Sequence, residues 1–401
     1  MYACLASRPN NLKYMKIIYF TTAQEKEDYI SFSSSWKSTL NTSIQNLHNR
    51  LIRSLAMTHE VDVISIRPFS RKYCKLNMLN ASVKQEGRIT WHYVKINRLK
   101  LSRLLAVRSQ CKKIVSKLNL KDAIVITDTL NPTVLFNATR IAKKYHLPII
   151  GVCNNTPSGI HGTGRSYTKF LLSTASDLSG YISLTPGLNE LFNKNNRANI
   201  SFEGILESKS RSFNTAKYGK YLFFDGSLEE KYGIYDLIKA FKSLDNKEFK
   251  LLISGYHINT VKFSRVLEGS KNIVYLGNLQ NDEVISLANN SVLNINPRPY
   301  SEDFDRYLIP DNMVDYLGAN SLLLSVKNRN FKKEFENDAI WINSNSMVDF
   351  VNGLETALNL SKEERSLMIK KANLDANKLY SMEAINRRLI LFLKQFLKQK
   401  E

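Results

Sequence analysis

Glycines and cations follow the apolar runs in the second half of the chain at a spacing that suits an anionic ligand. Gly226 and Ser227 come directly after one apolar run, Lys231 lies a few residues further on, and Gly255 ends the next run. A glycine lets the backbone approach a phosphate, and a helix N-terminus that follows it favours negative charge. Lys231 and Arg298 would then supply cations. For each glycine a role in ending a strand is an equally good explanation, and Lys231 also fits a solvated surface lysine.

One 25-residue stretch, Asn296–Asn320, reads NPRPYSEDFDRYLIPDNMVDYLGAN and holds two arginines, five carboxylates and three prolines. It begins where the apolar run SVLNIN ends, and functional loops follow strands of this kind. We expect Arg298 to end the strand facing a cleft, and residues 301–307 to form a loop around the ligand. Pro310 should begin a helix, where its missing N–H costs nothing.

Short apolar runs alternate with amphipathic stretches along the chain, which indicates parallel sheets covered by helices. The predicted strands of the first half are 16–20, 61–66, 123–128 and 147–152, with helices near 42–57 and 131–145. Those of the second half are 220–226, 249–255, 272–277, 291–297 and 321–326, with helices near 234–244, 281–289, 311–319 and 382–400.

This alternation predicts an α/β protein of two doubly wound, Rossmann-like domains. The predicted limits are 1–14 for an N-terminal extension, 15–195 for the first domain, 196–378 for the second, and 379–401 for a C-terminal helix that crosses back to the first domain. Ligands of such sheets bind in the crevice at the carboxyl ends of the strands.

Charge is divided unevenly between the two halves. The chain of 401 residues has a net charge of +21; residues 1–200 hold 29 Lys/Arg against 10 Asp/Glu, and residues 201–401 hold 28 against 26. A basic half implies a polyanionic partner: nucleic acid, an anionic lipid surface or a pyrophosphate-bearing substrate. Nucleic acid is the least favoured, because no zinc finger, aromatic RNA-binding pair or helix-turn-helix pattern is present.

The remaining composition favours a reduced, globular protein. Apolar residues make up 43% of the chain, and its four cysteines are scattered without a CxxC pair or zinc spacing. A disulfide or zinc framework would need clustered cysteines. No apolar run approaches the roughly 20 residues of a membrane-spanning helix, and the first 14 residues lack the apolar core of a signal peptide. We therefore expect a cytoplasmic protein.

The second half carries short motifs in a characteristic order. They are Asp225-Gly226-Ser227, Lys231 with Gly233, Ser254-Gly255, Tyr275-Leu276-Gly277, Asn296-Pro297-Arg298, and Pro310 with Asp315-Tyr316-Leu317. This order resembles the nucleotide-sugar-binding half of retaining GT-B glycosyltransferases of family GT4, especially those that build bacterial capsular polysaccharides and exopolysaccharides. The resemblance covers about residues 200–330, and the first half matches in architecture alone. It implies the GT-B fold, in which the two domains face a central cleft.

The resemblance also implies roles for particular residues. A nucleotide sugar would be the donor, with no further cofactor and no metal, held by Gly226, Ser227, Lys231, Gly255, Arg298 and Tyr307. Asp315 stands where the family has the acid that grips the nucleotide ribose, although that acid is usually glutamate. The sequence departs from the family at Asp311 and Asn312, where Ser-Lys is usual, and at Asn320, where Gly is usual. Without this lysine, either Arg298, Arg306 or Lys231 compensates, or donor binding is weakened.

Two residues of the first half are candidates for catalysis. His161 lies between glycines in the loop CNNTPSGIHGTG, and a histidine from the first domain often contacts the donor sugar in such enzymes. An ordinary surface position is the more common outcome for a histidine of this kind. Asp128 ends the strand AIVITD, where a helix N-cap role is equally plausible.

A basic stretch, residues 95–121, carries nine Lys/Arg and no acid. It includes Lys100, Arg103, Arg108, Lys112 and Lys113, while Leu101, Leu104, Leu105 and Cys111 fall at helical spacing. A helix packed on the sheet with a solvated outer face explains the apolar side. Nine unopposed cations also favour an anionic membrane surface, at very roughly 1 kcal/mol per basic residue.

These features predict a glycosyltransferase on the inner face of the cell membrane, moving a hexose from a nucleotide sugar to a lipid-linked saccharide or polysaccharide. The alternative is a degenerate GT-B subunit that binds an acceptor or stabilises a catalytic partner glycosyltransferase. Asp311, Asn312 and Asn320 motivate this second hypothesis.

Overall fold

The protein is built on two parallel sheets, each with helices on both faces. A computed structural model describes residues 15–36, 42–69, 74–97, 100–157, 164–207, 213–244, 247–256, 260–310, 312–328, 330 and 333–397. The predicted N-terminal extension, His161 and Asp311 lie outside these residues. Two apolar clusters fill the two faces of the first sheet, and two more fill those of the second.

The first half contains ten strands and six helices among the described residues. In chain order they are β1 (Lys16–Thr21), α1 (Lys26–Ser34), α2 (Thr42–Ala56), β2 (Val61–Ser65), β3 (Met78–Leu79), β4 (Ser82–Glu86), β5 (Ile89–Tyr93), β6 (Ile96–Asn97), α3 (Lys100–Val115), β7 (Ala123–Asp128), α4 (Pro132–Tyr145), β8 (Ile149–Cys153), α5 (Arg165–Ala175), β9 (Gly180–Ser183), α6 (Pro186–Phe192) and β10 (Ala198–Ser201).

The first sheet has the order β10-β9-β8-β7-β1-β2-β5-β4, and every pair is parallel except the β4–β5 hairpin. The central strands are buried along their whole length because helices cover both faces. The direction of chain progression reverses between β1 and β7, which makes their carboxyl ends the topological switch point. Strand β10 belongs to the first sheet and lies just after the domain boundary predicted at 195/196. The domain limits themselves stay a prediction.

The second half contains six strands and eight helices among the described residues. They are β11 (Tyr221–Asp225), α7 (Ile234–Ser243), β12 (Lys250–Ser254), α8 (Thr260–Leu267), β13 (Ile273–Tyr275), α9 (Asn281–Asn290), β14 (Leu293–Asn296), α10 (Glu302–Tyr307), α11 (Met313–Leu317), β15 (Leu322–Val326), β16 (Ile340–Ile342), α12 (Met347–Asn359), α13 (Lys362–Tyr380) and α14 (Met382–Lys394).

The second sheet has the order β13-β12-β11-β14-β15-β16, all parallel. Counted from its own first strand, this is the 3-2-1-4-5-6 order of dinucleotide-binding sheets, with the switch point between β11 and β14. The predicted strands of this half are all present.

The structure corrects three local expectations. Pro310 does not begin a helix: α11 begins at Met313, whose N–H donates to the Pro310 carbonyl at 3.1 Å. The loop expected at 301–307 contains a helix, α10. Its residues, EDFDRY, include neither proline nor glycine, so they can adopt helical backbone angles without a break. The region 66–99, in which the sequence predicts no strand, contains β3 to β6. Trp91 on β5 is completely buried and helps to hold the β4–β5 hairpin on the sheet.

The last helix, α14, packs against α2 of the first half. Its apolar face, including Ile385, Leu389 and Leu393, belongs to the cluster that covers one face of the first sheet. Asn386 Nδ2 donates to the Ser54 carbonyl at 2.6 Å. Helix α2 is therefore held between the first sheet and the end of the chain.

Within the described residues no helix has both the length and the apolar character to cross a membrane.

Candidate functional site

Close backbone packing brings the predicted glycines to the switch point of the second sheet. Gly255 has φ +135, and a Cβ there would overlap the carbonyl oxygen of Gly226. Gly233 has φ +81, and a Cβ there would overlap the carbonyl oxygen of Pro297, which follows β14. Both positions therefore need glycine for steric reasons. The carboxyl ends of β11, β12 and β14 are thereby held against one another.

The two predicted cations, Lys231 and Arg298, lie at the same edge. The Arg298 guanidinium lies 5.7 Å from the ring centre of Tyr232 and 5.2 Å from that of Phe304, a cation–π arrangement. Lys231 Nζ lies 3.0 Å from Glu229 Oε2, and its side chain is 42% exposed. Burial opposes the charged form of Lys231, but Glu229 raises its pKa above the usual value.

Ser227 lies close to Lys231, because its Oγ donates to Glu229 Oε1 at 3.4 Å. We call Gly226, Ser227, Lys231, Gly255 and Arg298 the Gly226 group. Helix α7 begins directly after Gly233, so its N-terminus lies beside the group. The structure therefore brings five of the seven predicted donor residues together: Gly226, Ser227, Lys231, Gly255 and Arg298. Hydroxyl, amide and cationic groups of this kind can bind phosphate oxygens.

Asn312 and Tyr316 hold the end of β11 on its other side. Asn312 Nδ2 donates to the Asp225 carbonyl at 2.8 Å and to its Oδ2 at 2.9 Å. The Asp225 N–H donates to the Tyr316 hydroxyl at 2.9 Å. Burial, together with Asp225, raises the pKa of Tyr316 well above its usual value. Helix α11 therefore fixes the backbone just before Gly226.

Asp315 on α11 faces the first half instead of the Gly226 group. Its Oδ1 accepts from Arg50 Nη1 at 3.0 Å, and its Oδ2 accepts from Arg50 Nη2 at 2.8 Å. The N–H of Glu207 also donates to Asp315 Oδ1, at 3.2 Å. Both carboxylate oxygens of Asp315, the residue predicted to grip the nucleotide ribose, thus accept hydrogen bonds from protein groups in this structure.

Tyr307 lies at a second contact between the two halves. It is half-buried against the apolar cluster of the first sheet. The neighbouring Arg306 carbonyl accepts from Thr185 Oγ1 at 3.0 Å, and Arg306 Nη2 lies 2.7 Å from Glu190 on α6. A Cβ on Gly187 would overlap that same carbonyl. Helix α10 thus docks on α6, and Arg306 pairs there with Glu190.

Asp128 lies at the switch point of the first sheet, fully buried beside His48 of α2. His48 Nε2 lies 3.9 Å from Asp128 Oδ1, and His48 Nδ1 is 2.7 Å from the Tyr19 hydroxyl. Burial lowers the pKa of His48 below its usual value, while Asp128 opposes this shift. Asp128 does not cap α4; it accepts from the Leu130 N–H, and Asn131 is the N-cap.

Further buried polar side chains line this edge of the first sheet. Thr21 ends β1, Ser65 ends β2, Thr129 follows β7 and Ser183 ends β9, and all are inaccessible to solvent. Three of them are bonded to the backbone: Thr21 accepts from the Ala23 N–H, Ser65 donates to the Ala23 carbonyl, and Thr129 donates to the Val152 carbonyl, so they hold the loops at the strand ends. Among the described residues no group of three His, Cys, Asp or Glu is arranged to hold a metal ion.

The basic helix α3 has a buried side and an exposed side. Val107, Cys111 and Val115 are buried, and burial raises the pKa of the Cys111 thiol to about 12. Arg108 is half-buried, while Lys112 and Lys113 are exposed. Leu105, expected on the apolar side, is 70% exposed. The side chains of Lys100 and Arg103 lie outside those the structure describes.

Sequence reasoning missed His48 and Arg50. His48 falls on the buried stripe formed by Leu51, Ile52 and Leu55, at three- and four-residue spacing, and a histidine on such a stripe is the signal that could have singled it out. Arg50 carries no comparable signal, because its partner is 265 residues away in the chain.

No protein-family model matches the sequence, and no curated protein sequence is significantly similar to it. Solved structures do match. HepE of Anabaena, in complex with UDP and glucose, aligns at a TM-score of 0.68 and 10% identity, over 95% of this chain and 100% of that one. Sucrose-phosphate synthase of Thermosynechococcus elongatus aligns at 0.67 and 10%, over 95% and 98%.

Trehalose-6-phosphate synthase of E. coli, bound with UDP-2-fluoro glucose, aligns at a TM-score of 0.64 and 11% identity, over 95% of this chain and 99% of that one. These alignments extend over both halves. The chain therefore has the GT-B fold, two doubly wound α/β halves facing a central cleft, as the sequence predicts.

Proposed function

We propose that this chain is a glycosyltransferase that moves a hexose from a nucleotide sugar to an acceptor, with retention of configuration. The observation that carries the proposal is the group at the β11–β14 switch point: Gly226, Ser227, Lys231 and Arg298 beside the N-terminus of α7. UDP with glucose in HepE, and UDP-2-fluoro glucose in trehalose-6-phosphate synthase, support a nucleotide sugar as the ligand.

The leaving group of such a reaction is a nucleoside diphosphate, whose developing charge needs preorganised donors. The backbone near Gly226 and the first amides of α7 would contact the phosphates, and Arg298 and Lys231 would balance their charge. Arg298 is held by two aromatic rings, so little side-chain entropy remains to be lost when it binds. We expect no metal ion, and we expect the leaving oxygen itself to assist the acceptor hydroxyl.

The first half would receive the acceptor. Asp128 and His161 remain the candidates there for contacts with the sugar. Asp128 lies at the switch point beside His48, in the position where the crevice of the first sheet is expected.

A lipid-linked saccharide or a polysaccharide in cell-surface polysaccharide synthesis is the acceptor we propose, of the kind that GT4 enzymes use. Helix α3 supports it, because the exposed Leu105 and the cations Arg108, Lys112 and Lys113 together suit an anionic membrane interface. The protein would then be cytoplasmic and peripheral on the inner face of the membrane. Two of the structurally similar enzymes are named for sugar phosphates, and a phosphorylated sugar is the acceptor class that competes with this proposal.

The second candidate function is a degenerate subunit that binds an acceptor or stabilises a catalytic glycosyltransferase. One observation favours it: Asn312, which stands where GT4 enzymes usually have lysine, is hydrogen-bonded to Asp225. A subunit of this kind would copurify with an intact glycosyltransferase, and Arg298→Ala would leave the pathway unaffected.

The test is release of nucleoside diphosphate. The purified protein is mixed with a panel of UDP- and GDP-hexoses and with either a bacterial lipid-linked saccharide extract or a set of hexose phosphates. The proposal predicts release from one donor with the lipid fraction, and a product that keeps the donor's anomeric configuration. Release with hexose phosphates alone would overturn the acceptor class, and no release with either would favour the degenerate subunit.

A further inference from the structure

A buried ion pair of Arg50 and Asp315 joins the two halves. The side chains are only 9% and 11% exposed, and two parallel N–H···O bonds of 3.0 and 2.8 Å join them. Such a two-pronged arrangement fixes direction as well as distance. Exposed ion pairs contribute little, whereas a pair removed from water is costly to break.

Arg50 also ties in the segment that links the two sheets. Its Nη1 donates to the Ile205 carbonyl at 2.8 Å, and its Nη2 donates to Asn281 Oδ1 at 3.3 Å. The carboxylate of Asp315 accepts from the N–H of Glu207. One guanidinium thus connects helix α2, the linking segment and the start of α9.

Each partner sits on a helix that also reaches a switch point. Two residues before Arg50 on α2 is His48, beside Asp128 at the first switch point. Next to Asp315 on α11 is Tyr316, whose hydroxyl accepts from the Asp225 N–H at the second. The ion pair therefore joins the two elements that reach the facing edges of the sheets.

We propose that Arg50 is a positioning residue for glycosyl transfer, acting through Asp315 to set the acceptor side of the cleft against the donor side. The proposal rests on the proposed function. It gives Asp315 a role different from that of a ribose ligand, because Arg50 and the Glu207 N–H already occupy three of the roughly four acceptor sites of its carboxylate, which leaves one site for the two hydroxyls of a ribose diol.

A positioning role should affect kcat and the KM for the donor differently. The groups expected to hold the diphosphate of the donor, Gly226, Lys231 and Arg298, all belong to the second half, so binding of this part of the donor does not need the pair. Transfer needs both halves in register, and a misplacement of about 1 Å can cost roughly 100-fold in rate. Loss of the pair should therefore lower kcat and leave the donor KM nearly unchanged.

The experiment compares Arg50→Gln, Asp315→Asn and the double variant with Arg53→Gln. Arg53 is a matched control, because it lies one turn along α2 and pairs with Glu86 in its own half at 2.8 Å. We expect each single variant to lower kcat by about 10-fold or more with donor KM within about threefold, and the double variant to be no worse than either. Arg50→Lys, which keeps the charge but loses one prong, should be intermediate.

A rise in donor KM for Asp315→Asn without one for Arg50→Gln would overturn the proposal and favour the ribose contact. An unchanged kcat in both variants would overturn it as well. Asp315→Asn keeps the side-chain shape, which guards against simple failure to fold.

Urea unfolding separates this proposal from the proposed function, since it needs no substrate. If the chain neither binds nor uses nucleotide sugars, the proposed function fails, and the assignment to glycosyl transfer fails with it. The buried pairing still predicts a lower unfolding midpoint for Arg50→Gln and Asp315→Asn than for Arg53→Gln, because each single change leaves one buried charge without its partner. Equal midpoints for all three variants would contradict it.

Discussion

The side-chain amide of Asn312 holds Asp225 by two hydrogen bonds, to the carbonyl at 2.8 Å and to the carboxylate at 2.9 Å. Asn312 stands where the GT4 motif that the sequence resembles usually has lysine. A neutral amide satisfies this carboxylate but does not cancel its charge. The end of β11 therefore places a carboxylate directly before Gly226, where we expect phosphates to approach.

Asp225→Asn should tighten nucleotide binding. The asparagine keeps an oxygen for Asn312 but removes a negative charge near the diphosphate, an effect of about 1 kcal/mol at a screened distance of several ångströms, or roughly fivefold in Kd. Calorimetric titration with a nucleoside diphosphate at low and moderate salt measures it. The exposed Glu248, which pairs with Lys220 at the opposite end of β11, provides the control, Glu248→Gln. Weaker binding by the Asp225 variant would show that the carboxylate itself contacts the ligand.

Gly233→Ala should destabilise the second half more than an alanine at another left-handed glycine. Gly233 has φ +81 and lies against Pro297, whereas Gly269 has φ +74 with open space around it. Gly269→Ala carries the backbone cost alone, about 1 to 2 kcal/mol, and Gly233→Ala adds about 1 to 3 kcal/mol for the overlap. Urea unfolding of the two variants gives the comparison. Equal losses would mean that the β14 backbone moves away freely.

His48 should make the protein lose stability as the pH falls below about 6.5, the ordinary histidine value. Its pKa is lowered by burial in the folded state, so the unfolded chain binds more protons just below that pH. Stability is then present above the unfolded pKa and falls towards the folded one, by up to about 1.4 kcal/mol per pH unit. Urea midpoints between pH 8 and pH 5 measure it.

His48→Gln should be less stable at pH 8 but should lose less on acidification. Asp128→Asn should extend the loss to lower pH, because it removes a charge that favours the protonated imidazole. A slope that is the same with and without the histidine would assign the acid sensitivity to another group.

Leu105→Ser should weaken binding to anionic vesicles. Leu105 is 70% exposed beside the cations of α3, and burial of a leucine side chain in an interface contributes about 1.5 to 3 kcal/mol, roughly a 10-fold effect or more. Co-sedimentation with vesicles containing about a third anionic lipid tests it. Leu367, equally exposed on α13 of the second half, supplies the control Leu367→Ser. Equal binding by both variants would exclude α3 as the membrane contact.

The fold was largely predictable, because the strands of both halves are short apolar runs flanked by turn residues. KIIYF, AIVITD and FKLLISG all became buried parallel strands. The group around Gly226 was predictable too, because strand-end glycines and nearby cations leave a local signal. Helix α10 was not, because a six-residue helix leaves no reliable periodicity.

The contacts between the halves could not be predicted, for a physical reason. Arg50 with Asp315, and Gly187 with Arg306, join residues more than 100 positions apart, and such pairs leave no local pattern. The donor roles of Asp315 and Tyr307 stay predictions; they come from the order of motifs, which does not show which way each helix faces. The structure turns both residues towards the first half.

We expect nucleotide sugars to bind at the carboxyl ends of β11 and β14. Calorimetric titration of a UDP- and GDP-hexose panel into the protein, Arg298→Ala and Lys220→Ala tests it most directly. Lys220 precedes β11, at the opposite end of that strand, and pairs with Glu248 on the surface. We expect one donor to bind with a micromolar to low-millimolar Kd, about 10-fold or more weaker in Arg298→Ala and unchanged in Lys220→Ala. No binding of any nucleotide sugar at millimolar concentration, or equal binding by all three proteins, would contradict it.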